Sequence, residues 1–337
     1  MASGVPGRTV LFFKLLMHWQ VKRFSMEIML LLLLPLIALV GFGGGDDEEP
    51  TDTDRTQDDQ VIEGSDGRDT ADAGAGEDLI FGSSGRDNLD GGDGFDVLVG
   101  ETWADTLTGG EGSDVVLGGA GADSLDGGAD NDNVVGGSGD DLVSGGDGDD
   151  VVTGMSGADT LNGGDGSDYV SGIDPRDVYD PEGIAIGSGD PAPILDKFLA
   201  GIAGFYGSDV SAGQLDRVRA GFNSSDQNSD DDLLDGGAGD DLLEGDLSDT
   251  LTGGADIDQF NVISDGPDEL VTVTDFDPVA EFLRIFVRPG GLNVISVTDA
   301  ANGAGSIVQL DGDTVALLQG VVAAQLQPGA IQVVVEG

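Results

Sequence analysis

The chain has 337 residues with 65 acidic and 13 basic side chains, which gives a formal net charge of −52 at pH 7. Self-repulsion of this size opposes a compact state and argues against nucleic acid as a partner. Cysteine is absent and the one histidine is His18, which excludes a soft-metal site, an HExxH zinc site and a Ser-His-Asp triad. We therefore expect a protein that is not an enzyme.

The amino-terminal segment, residues 1–45, contains an apolar run at 28–42 that three glycines extend to 45. Basic residues precede the run and acidic residues follow it, which predicts an apolar helix over 28–45 with its amino end in the cytoplasm. The length lies between a signal-peptide core and a spanning helix. Because no A-x-A-like cleavage site is present, a membrane anchor is favoured over a removed signal. Residues 46–63 are predicted to form an acidic, disordered linker.

The segment 64–172 is built from consecutive nine-residue units, of which Gly109–Leu117 (GGEGSDVVL) is a well-formed example. The first, second and fourth places favour glycine, which permits positive φ and lets carbonyl groups crowd a ligand. The eighth place is apolar in almost every unit, so each unit is predicted to be a tight loop followed by a short, half-buried strand. An aspartate occupies the sixth place throughout: Asp69, Asp78, Asp87, Asp96, Asp105, Asp114, Asp123, Asp132, Asp141, Asp150, Asp159 and Asp168.

Strands this short cannot bury an apolar face alone, so the units must stack on one another. If successive strands alternate between two facing sheets, aspartates eighteen residues apart stack about 4.8 Å from each other. Such carboxylates repel strongly unless a cation lies between them. Calcium takes six to eight oxygen ligands and suits glycine loops that offer carbonyls, whereas magnesium demands octahedral geometry and retains its waters. The pattern therefore predicts several Ca²⁺ ions.

These units resemble the RTX (hemolysin-type) calcium-binding nonapeptide repeats of secreted bacterial proteins. The resemblance implies an all-β fold, a parallel β-roll solenoid in which calcium lies between successive loops. It also implies that the sixth-place aspartates and main-chain carbonyls hold the ions.

Some units depart from the pattern. Trp103 and Asp130 replace the fourth-place glycine, and Glu101 and Met155 replace the second. Because an indole is not expected to follow a glycine path, the sites beside Gly100–Thr108 are predicted to be the least well formed.

The segment 173–226 lacks the nine-residue period and is predicted to be a small helical insert. Residues 192–206 carry apolar side chains at helical spacing, and a second helix is predicted over Ser211–Phe222 with Ser211 as its N-cap. We expect the pair to pack over the roll and shield its end.

A second, short repeat block is predicted at 227–261, followed by a β-rich carboxy-terminal cap at 262–337 made of short antiparallel strands. In the closing segment Glu281 stands where the RTX-like pattern has Asp. The unit at 245–252 is one residue short, which shifts the register. The block's candidate metal ligands are Asp232, Asp241 and Asp258.

Together these features predict a calcium-binding repeat protein that is exported or displayed at the cell surface and folds when it meets calcium outside the cytoplasm. The predicted role is structural or adhesive, with contacts to a cell surface or the extracellular matrix. The membrane is met only through residues 28–45. The alternative is a calcium-folded export scaffold that carries a small binding domain in 172–228 or 262–337.

Overall fold

The structure is a computed structural model that describes residues 40–41, 59–173, 211–221, 231–246, 248–264, 270–287 and 293–335. The predicted apolar helix at 28–45, apart from Val40–Gly41, and the predicted helix at 192–206 lie outside these residues. In the part of the chain that is described, no helix is long and apolar enough to cross a membrane.

The chain winds into a solenoid whose strands alternate between two sheets of twelve strands each. The first sheet contains β1 (Val40–Gly41), β2 (Val61–Glu63), β4 (Leu79–Phe81), β6 (Val97–Thr102), β8 (Val115–Ala120), β10 (Asn133–Ser138), β12 (Val151–Ser156), β14 (Tyr169–Ser171), β16 (Leu242–Gly245), β18 (Gln259–Ser264), β20 (Phe282–Val287) and β24 (Ile331–Val335).

The second sheet runs in the order β21-β22-β23-β19-β17-β15-β13-β11-β9-β7-β5-β3. Its strands are β3 (Thr70–Ala75), β5 (Asn88–Asp93), β7 (Thr106–Glu111), β9 (Ser124–Ala129), β11 (Leu142–Asp147), β13 (Thr160–Asp165), β15 (Leu233–Ala238), β17 (Thr250–Ala255), β19 (Val271–Val273), β21 (Ile295–Asp299), β22 (Gly305–Leu310) and β23 (Asp313–Gln319). One α-helix, α1 (Ala212–Gly221), and one 3-10 helix (Ala323–Gln325) complete the described elements.

Neighbouring strands of the repeat region pair in parallel, and paired residues are eighteen positions apart. Val134 of β10, for example, lies opposite Val116 and Val152. This confirms the predicted parallel β-roll with two units per coil. The eighth-place side chains point inward and form one continuous core, because alternate residues of a strand face opposite sides of the sheet.

The roll begins before Gly64, since β2 stacks in register on β4. The last part of the predicted linker 46–63 is therefore a strand of the roll. Gln60 occupies the sixth place of this first coil and is 3% exposed.

The outer faces of the two sheets differ. On the first sheet, from β2 to β12, the seventh- and ninth-place residues are largely apolar and buried, and together with the second-place Met155 they form a second cluster, here called the outer cluster. It contains Val61, Leu79, Phe81, Val97, Val99, Val115, Leu117, Val135 and Met155. On the second sheet the same places hold mostly polar residues that are exposed or half-exposed, as in Asn88, Thr106 and Ser124; the exceptions are the exposed Leu142 and Leu233.

The loops keep the glycine conformation even where glycine is replaced. Trp103 has φ 84° and Asp130 has φ 74° at the fourth place, while Glu101 and Met155 have φ 78° and 79° at the second. The expectation for Trp103 was wrong. Its indole is 63% exposed, so it points into solvent and its backbone follows the same path as the glycines. The left-handed backbone conformation of a non-glycine residue costs about 1–3 kcal/mol.

Helix α1 lies on the outer face of the first sheet, where it contacts β6 and β8. Ser211 caps it reciprocally with Gln214: Gln214 N donates to Ser211 Oγ (3.2 Å) and Ser211 N donates to Gln214 Oε1 (2.7 Å). The expectation that the insert shields the end of the roll was wrong for this helix, because it packs on the side of the first coils. The sequence reading missed the outer cluster that receives it.

The carboxy-terminal strands largely continue the solenoid. Strands β19, β20 and β24 pair in parallel with β17, β18 and β20 respectively. Among the strands described there, only β21, β22 and β23 form an antiparallel meander. The prediction that this whole region is antiparallel was therefore wrong, since the two-sheet alternation persists past the last repeat.

Candidate metal centre

The sixth-place aspartates form two ladders along the two loop edges of the roll. In each ladder the main-chain N–H of one aspartate donates to Oδ1 of the aspartate one coil further on, at 2.6–3.0 Å. The first ladder contains Asp69, Asp87, Asp105, Asp123, Asp141, Asp159, Asp232 and Asp249. The second contains Asp78, Asp96, Asp114, Asp132, Asp150, Asp168, Asp241 and Asp258.

The two ladders bring together all fifteen candidate ligands named from the sequence. They also contain Asp249, which the sequence reading missed. The short unit at 245–252 places Asp249 only 17 residues after Asp232, yet Asp232 N still donates to Asp249 Oδ1 at 3.0 Å. The signal was present in Asp249-Thr250-Leu251-Thr252, which repeats the ending Asp105-Thr106-Leu107-Thr108 of a complete unit.

In most of these carboxylates the second oxygen, Oδ2, is buried and receives no hydrogen bond. A buried charged oxygen without a partner is costly, so such atoms indicate a missing positive ligand. This holds for Asp78, Asp87, Asp96, Asp105, Asp114, Asp123, Asp132, Asp141, Asp150, Asp168, Asp232, Asp241 and Asp258.

Most of these oxygens lie against the first-place glycine of their own unit, where a side chain would collide with them. A Cβ built on Gly109 would lie 2.6 Å from Asp114 Oδ2 and 2.5 Å from the carbonyl oxygen of Gly127. At Gly127 the corresponding distances to Asp132 Oδ2 and Gly145 O are both 2.5 Å. Both distances are shorter than a side-chain contact allows, so only glycine fits where the carboxylate and the carbonyl approach the chain. The carboxylate and the carbonyl thus lie beside the same glycine, and oxygens of these two kinds are the ligands that calcium takes.

The same crowding occurs at Gly100, in the unit that contains Trp103, where Asp105 Oδ2 and Gly118 O are both 2.6 Å from the built Cβ. The carboxylate and the carbonyl are therefore arranged beside Gly100 as they are beside Gly109. The expectation that the metal sites of this unit are the least well formed stays a prediction.

Among the described residues, no group of three or more His, Cys, Asp or Glu side chains is placed to hold one metal ion. Beside the ladder carboxylates the loops offer main-chain carbonyls, such as those of Gly127 and Gly145. Such a ligand set suits a hard cation with flexible geometry.

The ends of the first ladder are different. Asp69 Oδ2 accepts from Ser65 N (2.7 Å) and lies 3.1 Å from Ser65 Oγ. Asp249 Oδ2 accepts from Asp246 N at 2.8 Å. Both terminal oxygens are thus satisfied by the protein itself.

The second ladder extends one step beyond Asp258. Because Gln259 pairs with Phe282, Glu281 takes the place one coil after Asp258. Glu281 is 6% exposed and its Oε2 accepts from Asp277 N at 2.7 Å. Burial raises the pKa of Glu281 to about 7, and the nearby Asp258, Asp275 and Asp277 add to the rise.

Without a cation the ladders favour protonated carboxyls. Burial, followed by the charge of neighbouring ladder members, raises the pKa of Asp105 and Asp141 to about 8. The hydrogen bond from the preceding coil opposes this rise in both residues. Burial raises the pKa of Asp232 to about 9, with Asp249 and Asp159 adding to the effect. At neutral pH the ladders therefore need either protons or metal.

Comparison with known families agrees with this geometry. The RTX calcium-binding nonapeptide repeat family matches residues 56–89, 63–98, 90–125, 99–134, 108–143, 135–170 and 228–248. These segments are RTX calcium-binding nonapeptide repeats. No curated protein matches the chain. The RTX repeats account for the repeated sixth-place aspartate and imply multiple Ca²⁺ ions.

Proposed function

We propose that calcium ions lie between successive loops of each ladder, held by aspartate Oδ2 and by the carbonyl oxygen of the first-place glycine one coil further on. The buried, unpartnered Oδ2 atoms carry this proposal. The ligands are Asp78, Asp87, Asp96, Asp105, Asp114, Asp123, Asp132, Asp141, Asp150, Asp168, Asp232, Asp241 and Asp258, with Asp159 included by its place in the same ladder.

Asp69 and Asp249 are the first and last members of the first ladder. Their Oδ2 atoms already accept main-chain hydrogen bonds from Ser65 and Asp246. A carboxylate that the protein satisfies has less to gain from a metal ion. We therefore assign Asp69, a candidate ligand from its sequence position, to a capping role.

Calcium binding makes the fold conditional. A ligand that binds only the folded state stabilises it by RT ln(1 + [L]/Kd), about 2.7 kcal/mol per site at a hundredfold excess. Several such sites exceed the usual 5–15 kcal/mol stability of a domain. A chain with net charge −52 then unfolds where calcium is scarce and folds where it is plentiful. This supports export or surface display, where extracellular calcium modules bind at about 10⁻⁴–10⁻³ M.

A structural or adhesive role is better supported than a scaffold that carries separate cargo. Strands β19–β24 join the two sheets of the roll, and α1 packs on its outer face. Parts of both predicted cargo segments are thus built into the solenoid. If the protein were instead an enzyme, its activity would have to be found in the carboxy-terminal half alone and would not depend on calcium. Anchoring through residues 28–45 remains a prediction.

Calcium titration of the full chain followed by circular dichroism tests the proposal, with a parallel magnesium titration as the control. We expect a cooperative gain of β signal with calcium and little change with magnesium at the same concentration. Isothermal titration then gives the number of ions bound. A full β signal in chelator above pH 8, or an equal response to magnesium, would contradict the proposal.

A further inference from the structure

The starting point is a set of strained residues on one edge of the roll. Ser83, Glu101 and Met155 stand at the second place of their units, where the chain elsewhere favours glycine, and have φ of 78–79°. This conformation is unfavourable for residues with a side chain and points to a function at the strained site. All three side chains make contacts at the outer face of the first sheet, either with the outer cluster or with helix α1.

Met155 is 1% exposed and belongs to the outer cluster. Ser83 and Glu101 both bind Arg217 of helix α1. Arg217 Nη2 donates to Ser83 Oγ at 3.1 Å, and Arg217 Nε pairs with Glu101 Oε1. The strain in these loops thus coincides with contacts to the outer face and its helix.

Arg217 collects contacts from three successive coils. Its Nη1 pairs with Glu63 Oε2 at 2.6 Å, and its guanidinium carbon lies 4.2 Å from the ring centre of Phe81. Gln214 Nε2 adds a hydrogen bond to Glu63 Oε1 at 2.5 Å, and Leu215 packs against the outer cluster. A planar guanidinium with donors on several edges suits such a convergent site.

The residues that hold Arg217 come from the ends of β2 and β4, the loop after β4, and β6. They surround one guanidinium only when these three coils are stacked in register. Stacking of the coils depends, in turn, on neutralisation of the ladder carboxylates. The receptor for α1 therefore forms only where the ladder carboxylates are neutralised, which above about pH 8 requires calcium.

We propose that α1 is a calcium-gated clasp that docks through Arg217 on the first coils and strengthens calcium binding there. This inference rests on the proposed function. Linkage makes the coupling reciprocal: if calcium favours docking of α1, docked α1 raises the calcium affinity of these coils by the same factor. The affected sites are those of Asp78, Asp87, Asp96 and Asp105, whose loops lie in or beside the clasped coils.

Two variants and one control test the clasp in the full chain. Arg217→Gln removes the bridging charge. Glu101→Gly removes one partner and also relieves the positive-φ strain, so it separates loss of the clasp from damage to the roll. Arg68→Gln is the control, because it removes one positive charge from the first coils without touching α1: the exposed Arg68 Nε donates to the carbonyl of Arg86 at 3.4 Å, and its charge acts on Asp87.

The measurements are hydrogen exchange of residues 212–221 and calcium titration by circular dichroism. In the unaltered chain and in Arg68→Gln, we expect protection of 212–221 to appear with calcium and not with magnesium. In Arg217→Gln we expect the roll to fold with calcium, 212–221 to lose protection, and the calcium midpoint to rise about fivefold. Glu101→Gly is expected to lose the same protection while its roll still folds.

Three results, all measured above pH 8, would overturn the clasp: protection of 212–221 in chelator, unchanged protection in both Arg217→Gln and Glu101→Gly, or an equal loss of protection in Arg68→Gln. Failure of the proposed function looks different, because the unaltered chain itself would then show no calcium-dependent β signal. The two outcomes are thus distinguishable within one set of samples.

Discussion

The main-chain N–H of Asp168 donates to Oδ1 of Asp241 at 2.9 Å, although 73 residues separate them. Elsewhere in the ladder the same bond joins residues eighteen apart, as between Asp150 and Asp168. The ladder of aspartates therefore continues across residues 174–230 without a break. The strands before and after these residues pair directly, β13 with β15 and β14 with β16, as neighbouring coils do elsewhere in the roll.

This continuity predicts that the insert is dispensable for folding. Replacing residues 174–230 by two glycines joins Ile173 to Asp231 and restores a nine-residue unit from Gly172 to Asp235 with Asp232 in the sixth place. We expect the shortened chain to fold cooperatively with calcium, at a higher midpoint because α1 is missing. Circular dichroism with calcium titration measures this. Failure to fold at saturating calcium would show that the insert is part of the roll's core.

The two kinds of ladder aspartate are expected to respond differently to amidation. Asp132→Asn replaces an unpartnered Oδ2, so we expect the calcium midpoint to rise at least about tenfold, equivalent to about 1.4 kcal/mol. Asp69→Asn is the matched control, since Asp69 Oδ2 already accepts from Ser65 N. Its effect on calcium binding is expected to be several times smaller. Equal losses in the two variants would remove the distinction between ligand and cap.

The metal-free roll is expected to gain stability in acid. The pKa of Asp105 rises from 3.8 to about 8 in the folded state and that of Asp78 to about 6, chiefly through burial. Folding therefore takes up protons: this stabilisation is complete below about pH 4 and is lost as pH rises through about 6–8. In chelator, the β signal is expected to grow from pH 8 to pH 5.

The same protonation opposes calcium. As the pH falls from 8 to 6, we expect the calcium concentration at the folding midpoint to rise, because protons and Ca²⁺ compete for the same carboxylates. Titrations at several pH values measure both effects. An apo chain that loses β structure on acidification, or a midpoint independent of pH, contradicts this prediction.

Trp103 stores strain that glycine would release. Trp103 has φ 84° and an indole that is 63% exposed, so Trp103→Gly removes an unfavourable conformation with little loss of packing. We expect a gain of about 1 kcal/mol in calcium, measured by thermal unfolding. Gly112→Ala is the opposite control, because its φ is 123° and a Cβ there would collide with the carbonyl of Gly94. A destabilised Trp103→Gly variant would indicate that the indole makes a stabilising contact.

The outer cluster predicts a difference between the faces of the two sheets. Leu117 on the first sheet is fully buried, so Leu117→Ala is expected to lower the free energy of unfolding by about 2–5 kcal/mol. Ser124→Ala, at an exposed outer position on the second sheet, is expected to change it by less than about 0.5 kcal/mol. Denaturant titration in saturating calcium compares them. Similar small effects would show that the outer face of the first sheet is not a second core.

Much of the solenoid is predictable because its period is strict. The eighth-place residues, such as Val116 and Val134, occupy the core as the alternation of strand side chains requires. The eighteen-residue stacking of the aspartates follows from the same period, and the structure confirms it.

The remaining features depend on contacts that a nine-residue period does not contain. Arg217 meets Glu63 across 154 residues, and no local pattern marks that pairing. The outer cluster becomes visible only when every second unit is compared. Along consecutive units the seventh place changes between apolar and polar residues and shows no single preference. The backbone path of Trp103 was predicted wrongly because only the preference of non-glycine residues for negative φ was considered. The indole points into solvent, so it does not obstruct the loop. Asp249 was not predicted as a ligand because the unit at 245–252 has eight residues, so Asp249 is not in its sixth place. The strands nevertheless pair in register, and Asp249 lies in the ladder.

The unequal outer faces restrict how this molecule can grow by gene duplication. Copying one unit of nine residues ahead of the outer cluster would move its strands to the other sheet, where their apolar outer side chains would be exposed. Copying eighteen residues adds a whole coil and leaves both faces intact. Length variants that arise by recombination are therefore expected to gain or lose repeats two at a time.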